Sequence, residues 1–560
     1  MEPSGRVGDE EQPHITANLP NGAVHDERTP LLDGQSKTAP VANGGDGQDE
    51  EETLVAEELS TTRLTIILGT AYLGVFLGAV DASIIATLSA PIASEFQSLS
   101  LLSWLATAYL IANAACQPIS GRLTDIFGRG PGLVFSNVFF AIGNLICGLA
   151  QSDGVMILGR VVAGIGGGGL MSISTFLASD LVPLRKRGII QGIGNIAYGS
   201  GSMLGGVFGG LVNDHSALGW RLAFLVQVPP VVISAILVFF LVKVPPKVSN
   251  KSLISRIDFG GVFLIVTFLV LLLLGLNAGG NVVSWSHPLV LTSVPLSFVV
   301  LLVFVWWESG SKQPVIPVRL LVERTVLTAC FTNLLGTMAS MMLLFYIPLY
   351  LQVLGHSATA AGLRVLASSL GVSITSVGSG ILMKRTGRYL SLGIFGLLVF
   401  ASGAAVAATL DAHSPDWKPF LTFFLIGGGY GMMLTVTLLA CIAAVDHSQQ
   451  AVITSATYAF RSVGATVGIT CAGAVYQNLL RDRLWDRFGD LPGAEEVINR
   501  VRDDLGELGR LPPGWFDGVI ASFMDAFRGV WFLALGCAVG ATICVSLMRQ
   551  HTLHSTLERR

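Results

Sequence analysis

GRLTDIFGR, residues 121–129, places two glycines seven positions apart and closes on Arg129. It lies between two apolar runs, at about 102–121 and 131–150, so its charges and turn-forming glycines mark the loop between two membrane-length segments. The pattern returns at 380–388 as GILMKRTGR, where Gly380 and Gly387 keep the spacing and Arg388 matches Arg129. Two loops built alike imply two halves built alike, which is a hallmark of carriers that rock about a central site.

Outward from that repeat, apolar segments fall at about 65–89, 102–121, 131–150, 154–178, 188–212, 221–243, 259–278, 287–306, 325–351, 362–383, 389–409, 418–445, 452–476 and 529–548. Several carry no charge at all, such as FGGVFLIVTFLVLLLLGL at 259–276, and reach the length that spans a bilayer. Runs this long are too long for barrel strands, and lipid leaves no backbone group unsatisfied, so the spans are helices. The expected fold is an all-α polytopic membrane protein of about fourteen transmembrane helices, two six-helix halves plus two inserted helices. The predicted boundaries are 61–243 for the N-terminal half, 244–324 for the inserted pair with its linkers, and 325–548 for the C-terminal half, which includes a long non-cytosolic loop at 477–528.

Composition agrees. Of 560 residues, 51% are hydrophobic and only 13% charged, about half the charge of a soluble domain. The net charge of −3 hides an asymmetry, because residues 1–60 hold fourteen acids against Arg6, Arg28 and Lys37. That polar, acidic tail buries too little apolar surface to fold and reads as disordered. No apolar stretch follows Met1, so no signal peptide is expected there. The seven cysteines all fall in predicted spans without a C-x-x-C pair, which argues for small buried residues rather than disulfides or a zinc site.

Basic residues choose the side. One set of loops holds Arg122 and Arg129, then Arg185, Lys186 and Arg187, then Lys243, Lys247, Lys251 and Arg256, then Lys312, Arg319 and Arg324, then Lys384, Arg385 and Arg388. The opposite short loops offer Arg221, Arg364 and Lys418, so the acidic tail and the C-terminus at 549–560 are both expected in the cytosol. The sequon Asn250-Lys251-Ser252 is then cytosolic and unglycosylated.

Three stretches in order, GRLTDIFGR, LGRVVAGIGGGG at 158–169 and GSMLGGVFGG at 201–210, resemble the signatures of the major facilitator superfamily's fourteen-helix drug:proton antiporter branch. Within it, SWLATAYLIANAACQPISGRLTDIFGR and ASDLVPLRKRGIIQGIGN are similar to fungal vacuolar basic amino acid transporters. The resemblance covers about residues 60–550. It implies a conformational latch at Gly121, Asp125, Gly128 and Arg129, with Gly380, Gly387 and Arg388 as its second copy. It also implies a link between Arg160 and proton transfer, and a close-packing antiporter helix at Gly201, Gly205, Gly206, Gly209 and Gly210. Gly130 stands where a second base is usual, and Ser202 where the antiporter stretch usually has proline.

Read from the residues, Asp81 in GAVDASIIAT is the one carboxylate well inside a span, and no histidine accompanies it there. It suits proton coupling and a cationic substrate, or else a hydrogen-bonded packing role. Arg160, a short way into the fourth span, is either functional or reaches to the interface. Arg461, Asn113, Gln117, Asn195, Gln227, Asn333, Tyr346 and Tyr430 are candidates to line a cavity, or to hydrogen-bond between helices. In the tail, Glu27 followed by Leu31 and Leu32 resembles an acidic dileucine signal read by sorting adaptors.

No nucleotide-binding G-x-x-x-x-G-K-[ST] loop appears, and no span pairs a nucleophile with a histidine. The chain is therefore read as no enzyme, with no cofactor, no metal and no nucleic-acid partner. The expected function is a proton-coupled antiporter moving basic amino acids from the cytosol across the vacuolar membrane. Its partners are the bilayer, protons, a basic amino acid or other organic cation, and a sorting adaptor. A plasma-membrane drug or toxin exporter and a non-transporting nutrient receptor on a transporter fold are the alternatives.

Overall fold

The computed structural model describes residues 60–96, 101–243, 258–279, 283–311, 314–316, 318–356, 358–446, 449–491, 493–503 and 505–553. The sorting residues Glu27, Leu31 and Leu32, most of the acidic tail, and the sequon at Asn250 lie outside these.

The described residues are helical almost throughout, as chains without water to bond their backbones must be. The N-terminal elements are α1 (Thr61–Glu95), α2 (Leu101–Phe127), α3 (Arg129–Leu149), α4 (Asp153–Leu181), α5 (Leu184–His215), α6 (Trp220–Leu225) and α7 (Val228–Leu241). A hairpin follows, α8 (Phe259–Ala278) and α9 (Pro288–Gly310), then the short α10 (Val318–Leu321). The C-terminal elements are α11 (Arg324–Val353), α12 (Ala358–Thr386), α13 (Leu390–Ala408), α14 (Trp417–Ala444), α15 (Gln450–Phe488), α16 (Ala494–Asp503) and α17 (Phe516–Ser546).

Twelve helical segments among the described residues are long and apolar enough to cross a membrane, with α6 and α7 together making one of them. The expected count of fourteen needs α2 and α5 as well. These have 27 and 32 residues, but they carry the polar groups that face other helices rather than an unbroken apolar surface. Outward-facing Phe239, Phe240, Phe263, Leu302 and Trp306 are each more than half exposed, a surface that only lipid suits.

Buried apolar side chains form separate clusters. The largest draws only on residues 326–548, and two others draw on 67–242 with the single addition of Ala451. A fourth cluster joins the hairpin to α15 through Ile265, Leu269, Phe304, Val315, Ile316 and Ala456, and a fifth joins it to α2 through Leu273, Ile111 and Ala114. The inserted helices thus lie across the line where α2 meets α15.

The stretch 477–528, expected as a loop, is mostly helix. α15 runs on without a break to Phe488, α16 follows, and α17 begins at Phe516, well before the expected 529. Sequence hydropathy missed this because the extension is apolar on one narrow face only and polar over the rest. Leu480, Leu484 and Phe488 recur every fourth residue and are buried, while Arg487 donates to Ser522 and Asp525 of α17.

Candidate functional site

The repeated motif lands at equivalent places in the two halves. Gly128 and Gly387 both have positive φ, 98° and 67°, and each turns the chain where a helix ends. Gly121 and Gly380 lie on the preceding helices, where each meets the opposite half. A Cβ on Gly121 would collide with Ser455 Oγ and stand 3.0 Å from the Ala451 carbonyl of α15. A Cβ on Gly380 would collide with backbone atoms of Gly188 and Ile189 on α5.

Two seams between the halves, one where α2 and α4 meet α15 and one where α5 meets α12 and α15, carry polar clasps. Ser179 Oγ donates to Gln450 Oε1 at 3.3 Å, and buried Arg187 reaches the same oxygen at 2.8 Å. Thr175 and Tyr458 hydroxyls stand 2.9 Å apart, and Asn195 Nδ2 donates to Ser376 Oγ at 3.1 Å. The motif-side ends of the halves therefore meet tightly.

Arg129 is 4% exposed and held in its own half, by Asp125, by Asp180 Oδ2 at 2.7 Å, by Thr124 Oγ1 at 2.6 Å, and over the Phe176 ring. Asp180 was not singled out from sequence, although it ends α4 on the side where α2 also ends. The second copy differs. Arg388 is exposed, and Lys384 occupies the position of Asp125, so the cation has no carboxylate one turn earlier to bury against.

Asp81 and Arg160 meet. Arg160 Nη1 donates to Asp81 Oδ2 at 2.8 Å, Nε donates to the Leu105 carbonyl at 3.0 Å, and the guanidinium lies 4.5 Å over the Tyr109 ring. Both residues are 0% exposed, so Arg160 does not reach to the interface. Asp81 Oδ1 and Arg160 Nη2 are each left without a hydrogen-bond partner, and Gln227, itself buried, stands beside the carboxylate. The pair lies about 20 helical residues, roughly 30 Å, from the motif-side ends of α1 and α4. Tyr109 and Leu105 were missed in sequence because only packing shows what a guanidinium lies against.

At mid-depth a polar belt crosses the halves. Gln117 Nε2 donates to Asn113 Oδ1 at 2.7 Å, Gln117 Oε1 accepts from Ser462 at 3.2 Å, Arg461 donates to Asn333 at 3.2 Å, and Tyr430 and Thr337 hydroxyls stand 3.3 Å apart. Tyr346 is not part of it. It packs 5.3 Å from the Tyr476 ring in an aromatic stack with Phe523, Phe527 and Trp531. Of the α5 glycines, Gly201 and Gly205 let α1 come so near that a Cβ on either would collide with the carbonyls of Phe76 and Val80. Gly206 and Gly209 continue the helix, but Gly210 faces open space and supports no helix contact.

The sequence profile of the Major Facilitator Superfamily matches residues 71–469. The chain belongs to that superfamily. It is 38% identical to the "Multidrug resistance protein fnx1" of Schizosaccharomyces pombe, covering 90% of this chain and 96% of that one. It is 35% identical to the "Vacuolar basic amino acid transporter 2" of Saccharomyces cerevisiae, covering 77% and 94%. Among solved structures, the proton:xylose symporter XylE superposes with a TM-score of 0.56 at 17% identity, covering 86% and 95%, a likeness of fold. As a member of this superfamily the chain is a membrane transporter, not an enzyme.

Proposed function

We propose that the chain is a proton-coupled antiporter that moves basic amino acids from the cytosol into the vacuole. The observation that carries the reading is the Asp81–Arg160 pair, sealed from solvent with one atom of each ion unpartnered. A proton on Asp81 removes the charge that balances Arg160, so α1 and α4 are held differently in the two protonation states. Sequence offered Asp81 as a direct holder of a cationic substrate. Its commitment to Arg160 favours coupling through the pair, with substrate held elsewhere.

Supporting this, the mid-depth belt draws on both halves, which we take to be residues 61–243 and 325–548. The motif glycines sit where such halves close. If the basic loops face the cytosol, this conformation is shut to the cytosol. Delivery to the vacuole is assigned to Glu27, Leu31 and Leu32.

The test is proton-driven uptake of labelled lysine, arginine and histidine into vacuolar vesicles carrying the chain. We expect uptake that collapses with the pH gradient, and loss of the protein from those vesicles when Leu31 and Leu32 are alanine. The similarity to a multidrug resistance protein supports a second reading, export of organic cations. Gradient-driven movement of such compounds, with none of amino acids, would establish it instead.

A further inference from the structure

Of the four buried arginines among the described residues, Arg160 is matched by Asp81, Arg129 by Asp125 and Asp180, and Arg364 by Asp416, while Arg187 donates to Gln450 and the Val182 carbonyl. Arg461 differs. Eleven residues into α15, roughly 17 Å along it and near the middle of a hydrocarbon core, it forms no ion pair with any described residue. Its Nη2 donates to Asn333 Oδ1 at 3.2 Å and its guanidinium stands 4.8 Å over the Tyr458 ring, while Nε, shielded from solvent, has no acceptor. A cation at this depth without an anion is a functional group in waiting.

Its surroundings are donors rather than acids. Tyr198, from α5 of the opposite half and 38% exposed, has its hydroxyl within electrostatic reach of both Tyr430 and Arg461. Asn333 comes from α11, and Tyr430, from α14, bonds Thr337 of the same α11, so helices of both halves gather around Tyr198 and Arg461. Its free Nε lies on the edge of the guanidinium fork that carboxylates engage in paired hydrogen bonds.

We propose that Arg461 receives the carboxylate of the transported substrate, with Asn333 as the residue that positions it. The cargo is then a carboxylate-bearing compound, a zwitterionic amino acid rather than a simple organic cation. A carboxylate-free cation would meet an uncompensated positive charge at mid-membrane, with Asp81 already engaged, and be rejected. This rests on the amino acid reading for the rest of the substrate but not for the carboxylate.

The full chain, purified into lipid nanodiscs, is titrated with L-lysine, lysinamide, 1,5-diaminopentane, neutral amino acids and simple carboxylates, with thermal stabilisation as the readout. The wild type should bind lysine roughly ten- to a hundredfold more tightly than lysinamide, the range expected of a charged hydrogen bond. Arg461→Gln should erase that preference, Arg461→Lys should keep part of it, and Asn333→Ala should weaken it. Equal affinity of the wild type for lysine and lysinamide overturns the assignment, and this comparison needs no variant to fold. So does a preference that survives in Arg461→Gln, or no response to any carboxylate. If lysine fails to bind while another carboxylate binds in an Arg461-dependent way, the basic amino acid reading falls and the site stands. If labelled lysine is carried without the preference, the site falls and that reading stands.

Discussion

At the scale of single residues, charge placement explains both what the sequence made legible and what it did not. Asp81 and Arg160 stood out because ions are costly in lipid, and the same cost brings them together, since each lowers the penalty of the other. Their pairing was open to the sequence in principle, as the one acid well inside a span and an arginine inside another. It stayed hidden because hydropathy gives depth but not azimuth around a helix. The pairing changes the expected phenotype of Asp81→Asn. Alone, it strands the Arg160 guanidinium, and loss of one partner of a buried pair costs about 3–5 kcal/mol, so protein abundance should fall. Asp81→Asn combined with Arg160→Gln removes both charges, and abundance should recover while pH-driven accumulation stays lost. Immunoblots of the membrane fraction and uptake at two pH gradients check this. Gradient-driven uptake by the neutral double variant would place coupling at another group.

At the scale of elements, the glycine spacing of the repeated loop was readable, and its consequence was not. Gly121 and Gly380 have no side chain to advertise a partner, and each partner lies on a helix of the other half, hundreds of residues or several spans away. The polar extension of α15 was missed for a related reason, that one buried face in four residues is too weak a signal in a window tuned to lipid. The seam can be tested by adding volume. Gly380→Val forces methyl groups into the backbone of Gly188 and Ile189, which has no flexible end to yield, and separates α5 from α12. Overpacking of this kind costs about 1–3 kcal/mol, which predicts a fall in transport rate of roughly fivefold or more with normal abundance. Gly378→Ala, two residues away where a Cβ meets nothing within 4 Å, should transport as the wild type does. Equal effects of the two substitutions would remove the seam from the transport cycle.

At the scale of the whole molecule, the division into halves was visible in a nine-residue repeat, but the placement of the inserted hairpin was not. α8 and α9 are apolar all round, so no stripe declares which neighbours they cover. They lie across the α2–α15 line, while the α5–α12 line is closed by glycine contact and the Asn195–Ser376 bond. Both lines, with the α4–α15 contact beside the first, must part if the halves rock, because the clasps across them tie one half to the other. Ser179 and Gln450, 3% and 1% exposed and 3.3 Å apart at their polar atoms, are well placed to test this. In Ser179→Cys with Gln450→Cys, a short reducible thiol cross-linker should hold α4 against α15 and bring uptake to background, and a reductant should restore it. Each single cysteine variant, treated identically, controls for the native cysteines and for loss of the Arg187 contact to Gln450. A cross-linked protein that still carries substrate would mean that α4 and α15 travel together, and that the halves part along some other line.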